Sequence, residues 1–304
     1  MTDQDLDGSH IKGLIINFFD HFYPSLLKQP GFLCEFVTPI VKCTRNNTTV
    51  SFFTLTEYEE WKRQNNNGEG WEIKYFKSLA HHTGDEAKEY FSDLGKHIKK
   101  FKPMDEEDHK LIETVFAKKN ADERKIWIRG IKEGTYIDYN DSEISIKDFI
   151  NKGLSLYSVS DNVRSIPSVI DGLKPCQRKV LFGCIKKNLT KGEIKVSQLA
   201  GYISEQLAYH HGEDSLHNTI IGLAQDFVGS NNINLLEPIG QFGKRNDGGK
   251  SAANARYVHT RLSSFARLIY HPDDDVLLEY LSEDGKKIEP KWYVPVIPMI
   301  LVKA

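Results

Sequence analysis

Cysteine is scarce in this sequence, and it has neither a long apolar run nor an excess of one charge. The four cysteines form no CxxC pair, so their spacing argues against a zinc site and indicates reduced thiols. No apolar run approaches the ~18–20 residues of a membrane span, and the first residues lack the basic and apolar regions of a signal peptide. The net charge of −2 gives no global sign of nucleic-acid binding, so any DNA-binding surface must come from local clusters of lysine and arginine.

Length and composition are those of an ordinary globular protein. Of the 304 residues, 39% are hydrophobic and 27% are charged. A chain of this length can bury a substantial core and is expected to form one or two domains.

The first half of the chain alternates helical and extended patterns. Helices are predicted at residues 11–22, 56–64 and 85–100, and strands at 36–41 and 50–53. Pro24 is expected to stop the first helix, and Asn46–Asn47 to form the turn between the strands. Residues 102–145 are highly charged and are interpreted as a connector with two helices.

A second globular unit is predicted to begin near Ile146. It contains three helical patterns, at 177–187, 197–209 and 214–227. Short helices joined by tight turns and followed by extended segments favour a winged-helix module. A polar, basic, glycine-rich loop then covers residues 240–256, and residues 257–260 are predicted to be extended.

An acidic cluster opens the chain. Asp3, Asp5 and Asp7 alternate, so an extended backbone would turn their carboxylates to one side. Mg²⁺ accepts carboxylate oxygens and needs only one or two of them when a substrate phosphate is present. A calcium-binding EF-hand is excluded because Leu14 stands where that loop requires glutamate at its twelfth position. The remaining alternative is an acidic helix N-terminus that complements the helix dipole.

Arg256–Tyr257 follows the basic loop and is a candidate nucleophilic site. A tyrosine hydroxyl is a weak nucleophile near its usual pKa of about 10, and a neighbouring guanidinium can stabilise both the phenolate and the charge on a phosphate. The structural alternative is an ordinary strand tyrosine.

Two further motifs can contact phosphate. His211, in the segment Tyr209–Glu213, can donate to a phosphate or transfer a proton, although residues 209–213 alone favour a polar turn between two helices. Lys174, Arg178 and Lys179 cluster at a helix N-terminus, which attracts anions. The alternative for these cations is a solvated surface.

Taken in order, these motifs resemble the eukaryotic-type type II DNA topoisomerases along nearly the whole chain. Thr2–Leu14 resembles an acidic motif of the family's TOPRIM domain, and residues 164–180 resemble its winged-helix entry. Residues 238–243 and Ala255–Tyr257 resemble its active site, and Trp292–Met299 the approach to its tower domain. The resemblance implies an α/β plus α+β fold. Its parts are a partial Rossmann-like TOPRIM domain at 1–101, a helical connector at 102–145, a winged-helix domain at 146–270 and the start of a tower domain at 271–304.

The resemblance also implies an activity: an ATP-dependent enzyme that breaks both DNA strands transiently and passes another duplex through the break. Tyr257 would form a 5′-phosphotyrosyl link, with Arg256 and His211 assisting. Asp3, Asp5 and Asp7 would hold Mg²⁺. The residues implied for DNA contact are Lys77, Lys174, Arg178, Lys179, Tyr209 and Gln241. The family further implies a homodimer that shares its active sites between protomers, and a nuclear location, with a viral source left open.

Several features depart from the family pattern. Leu6 replaces a frequent histidine, Cys176 replaces a usual glycine, and Ser78 and Ala80 replace two glycines, which restricts the backbone. The sequence contains no ATPase domain, so ATP would bind outside it, and no Glu-Gly-Asp-Ser motif. We therefore expect an incomplete enzyme, and the alternative is a catalytically inactive DNA-binding fragment.

Overall fold

The computed structural model describes residues 1–302 except 77, 133, 210, 284 and 285. The chain divides into two compact units, Met1–Asp161 and Asn162–Ala304. Among the described residues, no helix combines the length and apolar character needed to cross a bilayer. The fold is mixed α/β with small sheets, which confirms the broad fold class. The four-part domain division stays a prediction.

The first unit carries two small three-stranded sheets among its helices. Its helices are α1 (Leu6–Phe22), α2 (Pro24–Leu27), α3 (Leu55–Gln64), α4 (Gly84–Ser92), α5 (Leu94–His97), α6 (Glu106–Phe116), α7 (Ala121–Arg129), α8 (Ile146–Asp148) and α9 (Ser155–Ser165), with a π-helical segment at Phe149–Leu154. Its strands are β1 (Cys34–Phe36), β2 (Val41–Arg45), β3 (Thr48–Phe52), β4 (Glu72–Tyr75), β5 (Ile98–Phe101) and β6 (Glu143–Ile144). The sheet orders are β3-β2-β4 and β1-β5-β6.

Helix α1 fixes the acidic N-terminal segment to the first unit. Gly13 lets α1 approach Leu154 closely, since an added Cβ would lie 3.1 Å from that side chain. Lys12 Nζ pairs with the buried carboxylate of Glu35 at 2.7 Å. One face of α1 therefore packs on the core around Ile16, while several apolar side chains of its other face are exposed. These are Ile11, Leu14, Ile15 and Phe18.

The boundary between the units falls later than the one predicted near Ile146. Ile146, Phe149 and Ile150 are buried in the core of the first unit together with Ile16 and Ile112. The apolar pattern at 146–154 thus belongs to the first unit's core.

The second unit packs short helices around a three-stranded antiparallel sheet and a hairpin. Its helices are α10 (Pro175–Lys186), α11 (Val196–Gln206), α12 (Glu213–Ala224), α13 (Ala266–Ile269) and α14 (Met299–Val302), and its strands are β7 (Ile194–Lys195), β8 (Leu236–Ile239), β9 (His259–Leu262), β10 (Tyr280–Glu283) and β11 (Lys286–Pro290). The sheet order is β7-β9-β8, and β10 pairs with β11. One core joins these elements, since α10 packs against β9, α11 against β7 and α12 against β8.

Candidate active site

Tyr257 lies in a turn that ends just before β9. Its backbone N–H donates to the carbonyl of Asn254 at 2.9 Å, and its side chain is 72% exposed. The prediction that Tyr257 begins an extended segment is therefore wrong, because regular pairing starts two residues later, at His259. The turn leaves the Tyr257 side chain accessible to a large substrate.

Arg256 shares this turn and is held beside Tyr257. Asn254 Oδ1 accepts hydrogen bonds from both the backbone N–H and Nε of Arg256, each at 3.1 Å. The guanidinium carbon then lies 6.0 Å from the centroid of the Tyr257 ring. One amide thus sets the backbone and the side chain of the arginine, an arrangement that orients a cation next to an exposed phenol.

Two buried neighbours anchor the turn. Ala255 and Val258 flank the exposed pair and are themselves in the core. The carbonyl of Ala255 accepts from Ser197 N–H at 3.1 Å, and that of Val258 accepts from Val196 N–H at 3.0 Å. Because both donors stand at the start of α11, the first turn of that helix holds the exposed pair in place.

The basic loop before the turn is closed by a short bridge. Phe242 pairs with Ala252 across the loop, and the carbonyl of Gln241 accepts from Ala253 N–H at 2.9 Å. Gln241 itself is exposed, as are the three loop cations. These cations are Lys244, Arg245 and Lys250. The loop therefore presents positive charge from the same hairpin that carries the Arg256–Tyr257 pair.

His211 and Tyr209 lie between α11 and α12. His211 is exposed, and its ring meets the edge of Tyr209 with centroids 5.6 Å apart. Tyr209 is only 9% exposed, and burial is the main reason that the pKa of its hydroxyl is raised above the usual value. His211 is thus available to a ligand, while Tyr209 serves mainly as its support.

The three cations predicted at α10 differ in their contacts. Arg178 is buried and donates through Nε and Nη2 to both carboxylate oxygens of Asp171, at 2.6 and 3.0 Å. Lys179 Nζ pairs with Glu289 at 2.6 Å. Lys174 stands at the N-cap of α10 and is partly exposed. Of the three, Lys174 alone has an accessible side chain without an ion pair to a described residue, and Lys77 lies outside the described residues.

The acidic segment wraps onto the start of α1. Asp5 caps the helix, with its Oδ1 accepting from Gly8 N–H at 2.6 Å, and Asp3 Oδ1 accepts from Leu79 N–H at 2.7 Å. Asp7 stands in the first turn of α1. Gly8 is required here, since an added Cβ would lie 1.9 Å from the carbonyl oxygen of Asp3. The triplet therefore brackets a helix N-terminus.

The hydrogen bonds of Asp3 and Asp5 determine which of their carboxylate oxygens a metal ion can reach. Asp3 and Asp5 each use one oxygen for a backbone hydrogen bond, and a carboxylate has a second. Within the part of the chain that the structure describes, no three acidic, histidine or cysteine side chains are grouped as a metal cage. Asp3 and Asp5 therefore each keep one carboxylate oxygen outside these backbone hydrogen bonds, and the magnesium site stays a prediction.

The replacements at Ser78 and Ala80 cause no visible conflict. Ser78 is extended, with φ −159° and ψ 167°, and neither residue is among those with positive φ. The backbone there does not demand glycine, and it still delivers Leu79 N–H to Asp3.

Comparison with known proteins decides the family. A family profile for DNA gyrase/topoisomerase IV matches residues 164–304, and one described as the C-terminal associated domain of TOPRIM matches residues 36–162. DNA topoisomerase 2 of Arabidopsis thaliana is 55% identical over 99% of this chain, and that of Saccharomyces cerevisiae is 54% identical over the same share. The chain belongs to the type II DNA topoisomerase family.

A solved structure agrees with this. The crystal structure of the DNA-binding, cleavage and re-ligation domain of Plasmodium falciparum topoisomerase II matches with a TM-score of 0.80 and 54% identity, over 100% of this chain and 41% of that chain. The present chain spans about a fifth of the length of the curated relatives it matches, 21% for both the plant and the yeast proteins.

Sequence reasoning missed three residues that build the site of this topoisomerase-family chain. Asn254 orients Arg256, Asp171 neutralises Arg178, and Gln225 contacts the basic loop at two points. The sequence offered weak signals for these residues. Asn254 stands two residues before Arg256, Asp171 stands seven residues before Arg178, and Gln225 directly follows α12.

Proposed function

We propose that this chain is the DNA-cleaving and rejoining segment of an ATP-dependent type II DNA topoisomerase. The observation that carries the proposal is the exposed Arg256–Tyr257 turn, held by Asn254 and placed next to a loop with three exposed cations. An exposed phenol fixed beside a guanidinium suits attack on a phosphodiester of a bound duplex.

The chemistry is a reversible transesterification. Tyr257 Oη attacks a DNA phosphorus, the phenolic proton leaves, and the P–O3′ bond breaks. The products are a 5′-phosphotyrosyl link and a free 3′-hydroxyl, which takes up a proton. The reverse attack by that hydroxyl restores the strand and releases Tyr257. One phosphodiester is exchanged for another, so no net oxidation or hydrolysis occurs.

Arg256 and His211 are proposed to act at the phosphate. The Arg256 guanidinium would face the negative charge that builds on the non-bridging oxygens, where a charge-assisted hydrogen bond is strongest. His211, exposed and supported by Tyr209, would donate to the same group. Backbone contacts along the duplex are assigned to Lys77, Lys174 and Gln241, while Tyr209, which is buried, would act through His211. Arg178 and Lys179 are left out, since both are paired inside the fold.

Asp3 and Asp5 are proposed to hold Mg²⁺, with Asp7 in support. A divalent ion at such a site, when bound, neutralises charge on a phosphate oxygen. The carboxylates would position the ion, and the phosphate itself would complete its coordination. ATP would bind elsewhere in the whole protein.

The remaining family expectations are kept as proposals. The whole protein would act as a homodimer in the nucleus, with the acidic segment of one protomer serving Tyr257 of the other. The four parts named from the sequence would be the TOPRIM portion, connector, winged helix and tower entry.

Covalent capture tests the proposal. The chain is incubated with Mg²⁺ or Mn²⁺ and a nicked duplex carrying a label at the 3′ end of the cleaved strand, then denatured and resolved on a gel. A 5′-phosphotyrosyl link retains this label on the protein, whereas a label at the 5′ end is released. The adduct is expected in the native chain and in Tyr23→Phe, an exposed tyrosine of the first unit, and absent in Tyr257→Phe.

Loss of the adduct in both variants, or its survival in Tyr257→Phe, would refute Tyr257 as the nucleophile. Salt-sensitive DNA binding with no adduct in the native chain would instead identify an inactive DNA-binding fragment.

A further inference from the structure

Gln225 connects the end of α12 to both sides of the basic loop. Its Nε2 donates to the carbonyl of Phe242 at 2.8 Å and to that of Gly249 at 3.3 Å. Phe242 stands near the start of the loop and Gly249 just past its middle, beyond the cations Lys244 and Arg245. One side-chain amide therefore ties to α12 a loop that the Phe242–Ala252 bridge closes and whose exposed cations are Lys244, Arg245 and Lys250.

The fit around this amide leaves no room for a side chain at two loop positions, 243 and 249. A Cβ added at Gly249 would lie 2.3 Å from Gln225 Nε2, and one at Gly243 would lie 2.4 Å from the carbonyl oxygen of Gly249. Both glycines also have positive φ, 84° and 94°. The loop reaches the amide because both positions are glycine.

Gln225 is itself held firmly. Its N–H donates to the carbonyl of Ile221 at 3.0 Å and so extends the end of α12. Its carbonyl accepts from Asn231 Nδ2 at 2.8 Å, and the same Nδ2 donates to the carbonyl of Gly222 at 2.7 Å. The backbone that carries the side-chain amide is therefore fixed to the end of α12.

A short hydrogen-bonded path leads from this amide to the nucleophile. Phe242, which receives the Gln225 bond, bridges to Ala252. Gln241 then accepts from Ala253 N–H, and the next residue, Asn254, orients Arg256. The loop tied to α12 by Gln225 and the turn that carries Tyr257 are thus one hairpin.

We propose that Gln225 is a positioning residue for DNA cleavage, acting by holding the basic loop closed under the Arg256–Tyr257 turn. The inference rests on the proposed function. With the loop closed, the loop cations meet the DNA backbone in a fixed place relative to the attacking phenol. Without the amide, the loop separates from α12 and the phenol meets the phosphate in a poorer geometry.

Gln225→Leu and Gly249→Ala break the same contact from its two sides. Gln225→Leu removes the donor, and Gly249→Ala places a methyl group against it. Gln198→Leu is the matched control for the first, since Gln198 is exposed on α11. Gly248→Ala is the control for the second, because Gly248 also has a positive φ of 63° but its added Cβ would meet nothing within 4 Å.

Trypsin cleavage of the native-state chain at Lys244, Arg245 and Lys250 reports whether the loop is closed. We expect faster cleavage there in Gln225→Leu and Gly249→Ala than in their controls, with the thermal midpoint of each variant close to that of its control. Unchanged cleavage in both variants overturns the clamp, whatever the activity.

The rate of covalent adduct formation at saturating nicked duplex reports the positioning role. Because small misplacements of reacting groups are costly, the rate is expected to fall about 10- to 100-fold in both clamp variants, while the Kd for the duplex changes far less. A loss of affinity with no change in the rate at saturation, or an open loop with a normal rate, overturns the positioning role. Failure of the native chain to form any Tyr257-dependent adduct overturns the proposed function and the positioning role with it, and the trypsin result still decides the clamp.

Discussion

Replacing Asp171 by asparagine is expected to destabilise the second unit severely. Asp171 is 0% exposed, and four donors converge on its carboxylate. Oδ2 accepts from Arg178 Nε at 2.6 Å and from Tyr293 N–H at 3.0 Å, while Oδ1 accepts from Arg178 Nη2 and Leu173 N–H, both at 3.0 Å. The carboxylate thereby joins the loop before α10, the helix itself and the segment after β11.

The magnitude follows from what asparagine lacks. Its side chain is neutral and turns one acceptor into an NH₂ donor. In the place of Oδ2 this group faces Arg178 Nε and Tyr293 N–H, and in the place of Oδ1 it faces Arg178 Nη2 and Leu173 N–H. The guanidinium cannot lose its proton, so it stays charged and buried without its counter-ion. Removing one partner of a buried ion pair costs about 3–5 kcal/mol, a large share of a typical unfolding free energy of about 5–15 kcal/mol.

Hydrogen–deuterium exchange measured peptide by peptide is the suitable assay, because it reports the second unit separately from the first. Peptides of α10 and β11 in Asp171→Asn should lose protection corresponding to several kcal/mol. The control is Asp273→Asn, whose carboxylate is 89% exposed and should shift stability by no more than about 0.5 kcal/mol.

A double-mutant cycle isolates the ion pair. Arg178→Leu removes the cation, so Asp171→Asn combined with it should cost less than the sum of the two single changes, by about 1–3 kcal/mol. Additive costs, or a loss below about 1 kcal/mol in Asp171→Asn, would contradict the reasoning.

Two further predictions concern stability. Gly172→Ala should destabilise the second unit by more than about 1 kcal/mol, because Gly172 has a φ of 67° and an added Cβ would lie 2.7 Å from the backbone of Met299. The control is Gly192→Ala, whose added Cβ would meet open space and should be nearly neutral. Urea denaturation measures both variants. Burial alone would raise the pKa of the Glu86 carboxyl, but hydrogen bonds, the strongest from Lys74, outweigh it and lower the pKa from 4.5 to about 2. The ionised Glu86 carboxylate therefore contributes stability that is fully present above pH 4.5 and is lost as the pH falls towards 2. In Glu86→Gln, the free energy of unfolding should fall less across that pH window.

Local patterns predicted much of the secondary structure. The asparagine pair at 46–47 forms the expected hairpin turn, with φ of 46° and 65°, and β2 and β3 pair on either side of it. The helices predicted at 56–64, 177–187 and 214–227 correspond to α3, α10 and α12. These elements succeed because turn chemistry and apolar spacing are properties of neighbouring residues.

Long-range contacts explain the misses. The sequence predicts a helix over residues 85–100, but α5 ends at His97 and residues 98–101 become β5, which pairs with β1 more than sixty residues earlier. Arg178 has the appearance of a surface cation in the sequence, yet its carboxylate partner also receives the N–H of Tyr293, 122 residues away from Asp171. No local pattern contains such a partner.

The candidate site also contains some residues that local motifs predict and others that only the fold reveals. The exposed residues that would do chemistry, Arg256, Tyr257 and His211, are predictable because motifs record them. Asn254, which orients Arg256, and Gln225, which contacts the basic loop, act through hydrogen bonds whose partners are mostly backbone atoms. Backbone atoms carry no sequence identity, so these contacts leave little trace in a motif.

That distinction has a physical consequence for the site as a whole. Tyr257 is exposed only because Ala255 and Val258 on either side of it are buried and tied to the start of α11. The nucleophile is thus presented by the core of its own unit, while the loop cations are presented by two glycines and one amide. Substitutions in these two supports should separate two properties: a damaged core should lower folding stability and cleavage together, whereas a broken clamp should lower cleavage in a chain that remains folded.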